Sequence, residues 1–259
     1  MSDQTLPTTS LRPGPDAWGQ LLLAEIRSVV RDTSGLIVPL GMPVLIMVMF
    51  GMNATDPLPG LGGLTAFDVY VVPLVLTMVI ALIGVVNMPS HLATYRRSGI
   101  LRRLAVTPVS PAMVLIAQVV TSLIQTVIGL TIAVVGGRML YDLAAPRDLG
   151  TALAVLLLTV TALYALGMVV ASVAPTPQSA AAIGLVVFFG IGATGGMFGA
   201  MDSLPDAMAS VGRVLPFGGA VEGLQAAWAG QAVPTTTWVG MGTTTVVGAG
   251  LSAWLFRWE

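Results

Sequence analysis

Six long apolar stretches divide this sequence, and they limit it to a fold surrounded by lipid. Of its 259 residues, 55% are hydrophobic and only 9% are charged. A water-soluble domain of this size cannot bury that much apolar surface. A transmembrane helix needs about 20 mostly apolar residues. The sequence therefore predicts an all-α integral membrane protein with six transmembrane helices, at residues 36–52, 69–88, 113–137, 152–174, 180–199 and 238–256.

The segments between and before these spans predict further helices within a single domain, residues 1–259. Residues 15–31 place apolar side chains on one helical face and Arg27 and Arg31 on another, which is typical of an amphipathic helix on a membrane surface. The alternative is a cytoplasmic extension of the first span. Residues 200–237 are too long for a turn, and we expect two short outer helices there, near 205–214 and 218–229.

The arginines predict the orientation, because cytoplasmic segments of membrane proteins carry an excess of positive charge. With the N-terminus inside, eight arginines are cytoplasmic and three are outside. The outside arginines are Arg138, Arg147 and Arg213. We therefore expect a multi-pass protein of the cell membrane with both termini in the cytoplasm. The polar N-terminal residues do not resemble a secretory signal.

The sequence offers little material for catalysis. It has no lysine, so it lacks the P-loop motif for ATP, and it has no cysteine for disulfides or thiolate metal sites. His91 is the single histidine, and we find no acidic pair, catalytic triad or metal-ligand cluster. A net charge of −1 argues against nucleic acid as a partner. We expect no enzyme activity and no cofactor in this chain.

Polar and aromatic side chains inside two spans each have two interpretations. Gln118, Ser122 and Gln125 in the third span could line a path for an amphiphilic substrate, but hydrogen bonding between helices is the commoner role and the one we favour. In the fifth span, four large apolar residues are candidates for a gate in a translocation path, although core or lipid contact is commoner. These residues are Phe188, Phe189, Met197 and Phe198.

The densest positive cluster, residues 91–104, lies between the second and third spans. Such clusters are usually topology signals that attract anionic lipid. Here Leu101 and Leu104 share one helical side, and Thr107-Pro108 ends the segment. A short amphipathic helix held between two spans could act as a lever on which a soluble partner pushes.

Two segments carry a family resemblance. Residues 95–111, Tyr-Arg-Arg-Ser-Gly-Ile-Leu-Arg-Arg-Leu-Ala-Val-Thr-Pro-Val-Ser-Pro, resemble the cytoplasmic loop of ABC-2 type permeases, most closely those of the daunorubicin-resistance branch. A second set of motifs resembles the outer segment of that family before its last helix. These are Leu204-Pro205-Asp206, Val214-Leu215-Pro216 and Glu222-Gly223-Leu224. The resemblance covers essentially the whole chain.

The resemblance implies a permease that works with a separate ATP-binding cassette subunit, which would bind ATP and Mg²⁺. Two permease copies or paralogues would enclose a path between their second and fifth helices. Residues 90–107 would be the cytoplasmic coupling loop, residues 15–31 a connecting helix, and residues 174–178 a second contact with the ATPase. The implied coupling residues are Arg97, Gly99, Leu101, Arg102, Arg103 and Leu104.

The leading functional hypothesis is therefore export of an amphiphilic drug, antibiotic or lipid, which covers multidrug export, antibiotic resistance and lipid export. An ion-coupled secondary transporter is one alternative. It is disfavoured because the span interiors carry no acidic or basic side chain to hold an ion. A membrane scaffold without transport activity is another alternative.

The topology is testable because the chain contains no cysteine. We expect a cysteine introduced at Ser98 to be protected from an impermeant maleimide in intact cells, and to react once the membrane is permeabilised. A cysteine at Asp142, between the third and fourth spans, should react from outside. Labelling of position 98 in intact cells would reverse the predicted orientation.

Overall fold

A computed structural model of the chain describes residues 33–97, 111–199 and 201–255, together with Gly19, Leu23, Arg27 and Arg31. Helices and connecting turns account for the described residues, and no β-strand occurs among them. The helices are α1 (Thr33–Gly51), α2 (Phe67–Arg97), α3 (Pro111–Tyr141), α4 (Leu149–Val173), α5 (Pro177–Thr194), α6 (Asp206–Val214), α7 (Pro216–Ala229) and α8 (Thr235–Leu255).

Among the described residues, four helices are long and apolar enough to cross a membrane, namely α2, α3, α4 and α5. The apolar part of α1 is shorter, at Gly35–Gly51. Helix α8 has 21 residues, but six of them are threonine and four are glycine. Length and apolar composition therefore do not support α1 and α8 as spans, and the six-span count stays a prediction.

Helix α2 lies in the interior of the bundle. In its most apolar stretch 89% of the residues are buried, against 28–39% in α3, α4 and α5. Residues 71–85 are all buried, which fits a helix that is apolar on every side. Helices α1, α3, α4, α5 and α7 pack against it, and exposed apolar side chains remain on the outer faces of α3, α4 and α5.

Glycines let two neighbouring helices approach the α2 backbone. A Cβ on Gly167 of α4 would overlap the carbonyl oxygen of Gly84, and one on Gly184 of α5 would lie 2.5 Å from the carbonyl oxygen of Val85. Both contacts fall in Leu82–Asn87, a π-helical stretch of α2. Small residues at such crossings allow close packing, which is a main source of helix association in lipid.

A buried amide pair joins the first three helices. Asn87 Nδ2 donates hydrogen bonds to the Gly35 carbonyl at 3.1 Å and to Gln125 Oε1 at 3.0 Å, and Gln125 Nε2 donates to the same carbonyl at 2.7 Å. Gln125 therefore bonds between helices, as we favoured from the sequence. Gln118 Nε2 only reaches Ser122 on its own helix, at 3.4 Å, and Gln118 Oε1 is buried without a hydrogen-bond partner among the described residues.

The connecting segments 52–66 and 142–148 lie at the same end of the bundle, called the loop-rich end below. Asp68, buried in the first turn of α2, accepts hydrogen bonds from Thr65 N at 2.8 Å and from Ala144 N at 2.8 Å. The predicted second span begins after Asp68, so this buried carboxylate was missed. Trp228 Nε1 donates to the Ala144 carbonyl at 3.1 Å, which ties α7 to the same loop.

Asp148 begins α4 as its N-cap residue. Its side chain accepts hydrogen bonds from Thr151 Oγ1 at 2.6 Å and Thr151 N at 2.9 Å. These bonds favour the charged carboxylate and lower its pKa below the ordinary value. Since the pKa is lowered in the folded state, the stabilisation is present at neutral pH and is lost as the pH falls through that pKa.

Two helix ends differ clearly from the sequence prediction. The second span was expected to end at Met88, but α2 continues to Arg97, because Leu92 and Ala93 stay buried against the bundle. The fifth was expected to reach Gly199, but α5 ends at Thr194, where Gly196 adopts φ +87°. Two short helices are present within 200–237 as predicted, although α7 is mostly buried among its neighbours.

The amide pair gives a stability prediction with a control on the same helix. Gln125→Leu should lower the free energy of unfolding by roughly 1–2 kcal/mol, since it removes two interhelical hydrogen bonds. Gln118→Leu should change it little, because a buried amide with an unpartnered oxygen is replaced by an apolar group of similar size. Both free energies can be measured by SDS titration of the purified protein. Equal losses in the two variants would contradict a special role for the Gln125 contacts.

Candidate functional site

The arginine-bearing end of α2 is fixed to the end of α4. Arg96 Nη1 donates hydrogen bonds to the Ala171 carbonyl at 2.7 Å and the Ser172 carbonyl at 3.5 Å. These carbonyls belong to the last turn of α4, where the helix dipole favours a cation. Arg96 therefore ties the segment that leads into the predicted coupling loop to the α4–α5 turn.

Most of the predicted coupling residues lie outside the described residues. These are Gly99, Leu101, Arg102, Arg103 and Leu104. Arg97 is exposed at the end of α2. Of the predicted connecting helix, 15–31, the structure describes four residues at intervals of four, and these are helical and exposed. The roles of both segments stay predictions.

The second predicted ATPase contact, 174–178, is a short turn between α4 and α5. Thr176 caps α5 in a reciprocal pair with Ser179: Ser179 N donates to Thr176 Oγ1, and Thr176 N donates to Ser179 Oγ. Pro175 is exposed and Ala174 is buried. The turn is thus held by its own hydrogen bonds and lies directly beside the carbonyls that Arg96 binds.

The four predicted path residues separate into different environments. Phe188 is fully buried and packs edge-on against Phe217 of α7, with ring centroids 6.2 Å apart. Met197 is buried against Gly192. Phe198 is 72% exposed and stacks on Phe189 at 6.4 Å. Phe188 is therefore a core residue, whereas Met197 and Phe198 line a cleft.

That cleft opens at the loop-rich end and has a volume of about 480 Å³. Its walls come from the end of α1, the start of α2, the residues after α5 and one side of α7. They are predominantly apolar, and the residues include Phe50, Ala54, Val71, Leu74, Met197, Phe198 and Val221. Tyr70 and Gln225 add polar groups.

A smaller, more polar cleft of about 200 Å³ adjoins it. The two share five lining residues, Tyr70, Gly196, Gly199, Val221 and Gln225. Arg213 of α6 and Glu222 of α7 face the smaller cleft, with Arg213 Nε and Glu222 Oε1 3.9 Å apart. Thr237 Oγ1 of α8 donates a hydrogen bond to Glu222 Oε2 at 3.3 Å.

Backbone contacts between glycines build the wall beside the smaller cleft. Gly212 of α6 packs on the Thr194 carbonyl at the end of α5, and Gly218 of α7 packs on the Gly212 carbonyl. A Cβ on Gly195 would lie 2.7 Å from Gly218 N. Three chain segments therefore meet without room for a side chain.

The sequence matches the family described as ABC-2 type transporter over residues 16–228. The chain belongs to this family. The match covers helices α1 to α6 and all but the last residue of α7, and it leaves out α8. No curated protein matches the chain.

Membership of the ABC-2 family confirms the predicted class. With four apolar helices of spanning length, the chain is a multi-pass membrane protein, and its ABC-2 domain is a transport component rather than a catalytic one. Among the described residues, no group of three or more histidine, cysteine, aspartate or glutamate side chains could hold a metal. Assignment to the daunorubicin-resistance branch stays a prediction.

Sequence reasoning missed the polar residues of the clefts in this ABC-2 domain. Tyr70 was assigned to the second span and Gln225 to an outer helix, without a functional role. For α7 the sequence did contain a signal: Glu222 and Gln225 are the only large polar residues in a helix of small and apolar ones. Because they are three residues apart, they lie on the same face of the helix. For Tyr70 the sequence offers no comparable signal.

Proposed function

We propose that this chain is the permease subunit of an ATP-driven ABC exporter that moves an amphiphilic drug, antibiotic or lipid out of the cell. The family match supports the permease role. ATP and Mg²⁺ bind to a separate ATP-binding cassette subunit, and a second permease copy or paralogue completes the pathway. The absence of a lysine for a P-loop supports a division of labour between subunits.

The Arg96 contact is the observation that carries the coupling part of the proposal. Force on a short helix can reach the bilayer only if its supports are stiff. Arg96 joins α2 to the last turn of α4, so movement of the coupling loop is passed to two spans and to the α4–α5 turn. The coupling residues are Arg97, Gly99, Leu101, Arg102, Arg103 and Leu104, with the two leucines seated in the ATPase.

The experiment begins with the partner. The tagged chain is purified from its native membrane, and the ATP-binding subunit is identified by a Walker A motif. The pair is reconstituted in liposomes with a fluorescent alkyl glycoside, a fluorescent phospholipid and a fluorescent cationic dye as probes. We expect ATP-dependent movement of at least one probe and no ATP hydrolysis by the chain alone. Transport without nucleotide would instead favour an ion-coupled transporter.

Replacing both Leu101 and Leu104 by aspartate should abolish ATP-dependent transport and co-purification of the ATPase. The two charges would enter the apolar surface of the ATPase that holds the leucines, and burial of an unpaired charge is strongly unfavourable. The matched control replaces Leu149 and Leu153, which are exposed on α4, by alanine. A double aspartate variant that keeps both its ATPase and its transport would show that this loop is only a topology signal.

Arg96→Ala should leave the ATPase bound but lower the number of probe molecules moved per ATP by at least about five-fold, a loss typical of broken coupling between sites. Arg96→Lys should recover part of the ratio, because an ammonium can still donate to the carbonyls. Arg138→Ala is the control, since Arg138 donates to the Leu143 carbonyl at the loop-rich end. An unchanged ratio in Arg96→Ala would remove this residue from the coupling route.

A further inference from the structure

Three polar side chains leave otherwise buried helices and enter the clefts. Tyr70 is 52% exposed, whereas residues 67–69 and 71–85 around it are all buried. Glu222 and Gln225 are the two residues of α7 that are not buried. Packing alone does not require polar groups from two interior helices to converge, and such convergence beside an apolar wall is typical of ligand sites.

The larger cleft supplies that apolar wall. Phe50, Leu74 and Phe198 line it, and Phe198 stays 72% exposed although it stacks on a second ring. The two clefts, with volumes of about 480 and 200 Å³, lie side by side and share five lining residues. Small-molecule sites commonly measure about 300–1,000 Å³.

The charges of the lining indicate the kind of head group. Among the described residues that line the clefts, Arg213 and Glu222 carry the only formal charges, and their side chains are 3.9 Å apart. The lining is therefore neutral overall and has no excess charge to select an anion or a cation. Its groups both donate and accept hydrogen bonds, through the Tyr70 hydroxyl, the Gln225 amide and the ion pair.

We propose that the two clefts form one binding site for an amphiphile with an uncharged, hydroxyl-rich head and a single alkyl chain. The chain lies along Phe50, Leu74 and Phe198, and the head bonds to Tyr70, Gln225 and the Arg213–Glu222 pair. The inference rests on the proposed export of amphiphiles and adds a location and a substrate class. In this proposal the occupant enters from the bilayer along the apolar wall of the larger cleft.

Photolabelling tests the site without any transport assay. The full chain in nanodiscs is irradiated with a diazirine-bearing decyl glucoside at micromolar concentration, and labelled peptides are identified by mass spectrometry. A decyl trimethylammonium with the same diazirine chain is the comparison, matched in its alkyl chain but cationic in its head group. An apolar groove on α3, lined by Val127, Leu130, Thr131, Val134 and Val135, is the internal reference for ordinary lipid contact.

We expect the glucoside to label residues 196–199 and 221–225 more strongly than the α3 groove, and the trimethylammonium compound to show no such preference. Tyr70→Phe combined with Gln225→Leu should lower glucoside labelling of the clefts by about ten-fold, the effect of two lost hydrogen bonds. Thr131→Val in the α3 groove is the matched control and should leave labelling of the clefts unchanged. Thermal unfolding of each variant confirms that it is folded.

Equal labelling of the clefts and the α3 groove would overturn the site. Labelling of the clefts that the double variant does not reduce, or an equal preference for the cationic probe, would overturn the assigned head-group chemistry. If either of these results is obtained while the reconstituted pair still shows ATP-dependent transport, the permease proposal stands. Specific labelling without ATP-dependent transport supports the site and counts against the exporter.

Discussion

Helix α2 can be enclosed because glycines on its two neighbours bring their backbones against its carbonyl groups. Gly167 of α4 meets Gly84, and Gly184 of α5 meets Val85, within the π-helical stretch Leu82–Asn87. In lipid there is little hydrophobic gain from joining two apolar helices, so association depends on close packing and on buried hydrogen bonds. Side chains at these positions would hold α4 and α5 away from α2.

Because α2 is enclosed, its two ends are joined by a stiff element. Tyr70 enters the clefts near one end, and Arg96 binds the last turn of α4 near the other. At 1.5 Å per residue, these positions are about 40 Å apart along the helix. The Asn87–Gln125 contact lies between them and fixes α1 and α3 to the same helix. In the proposed coupling, a push at the arginine end would reach the clefts by displacement of the whole helix.

The sequence was a good guide to the helices and a poor guide to their depth in the bundle. Apolar length predicted where α2 to α5 lie, and the length of the segment 200–237 predicted α6 and α7. Helix α2 has the highest mean hydropathy of the four spans and is apolar on every side, which is typical of an interior helix, but the sequence prediction did not use this signal. Its enclosure depends on single glycines whose effect appears only when the opposing backbone is known.

The polar residues, too, were only partly predictable from the sequence. Gln125 could be predicted to bond between helices, because a buried amide in lipid needs a partner. Gln118 has the same chemistry on the same helix, yet it reaches only Ser122. The end of α5 at Thr194 could have been read from Gly195-Gly196, since paired glycines end helices readily. Tyr70 could not have been identified as a cleft residue, because its exposure is set by neighbours distant in sequence.

The glycine junction determines which wall of the clefts can move. Gly195, Gly212 and Gly218 bring the end of α5, α6 and α7 into backbone contact, with no flexible side chain between them to absorb sliding. We therefore expect these three segments to move together as one rigid unit. On the opposite wall, the end of α1 near Phe50 is held by a side chain instead, since the Tyr141 hydroxyl donates a hydrogen bond to the Val48 carbonyl at 2.8 Å. Since side-chain contacts yield more readily than backbone contacts, we expect any widening of the clefts to begin at the end of α1 and in the loop 52–66.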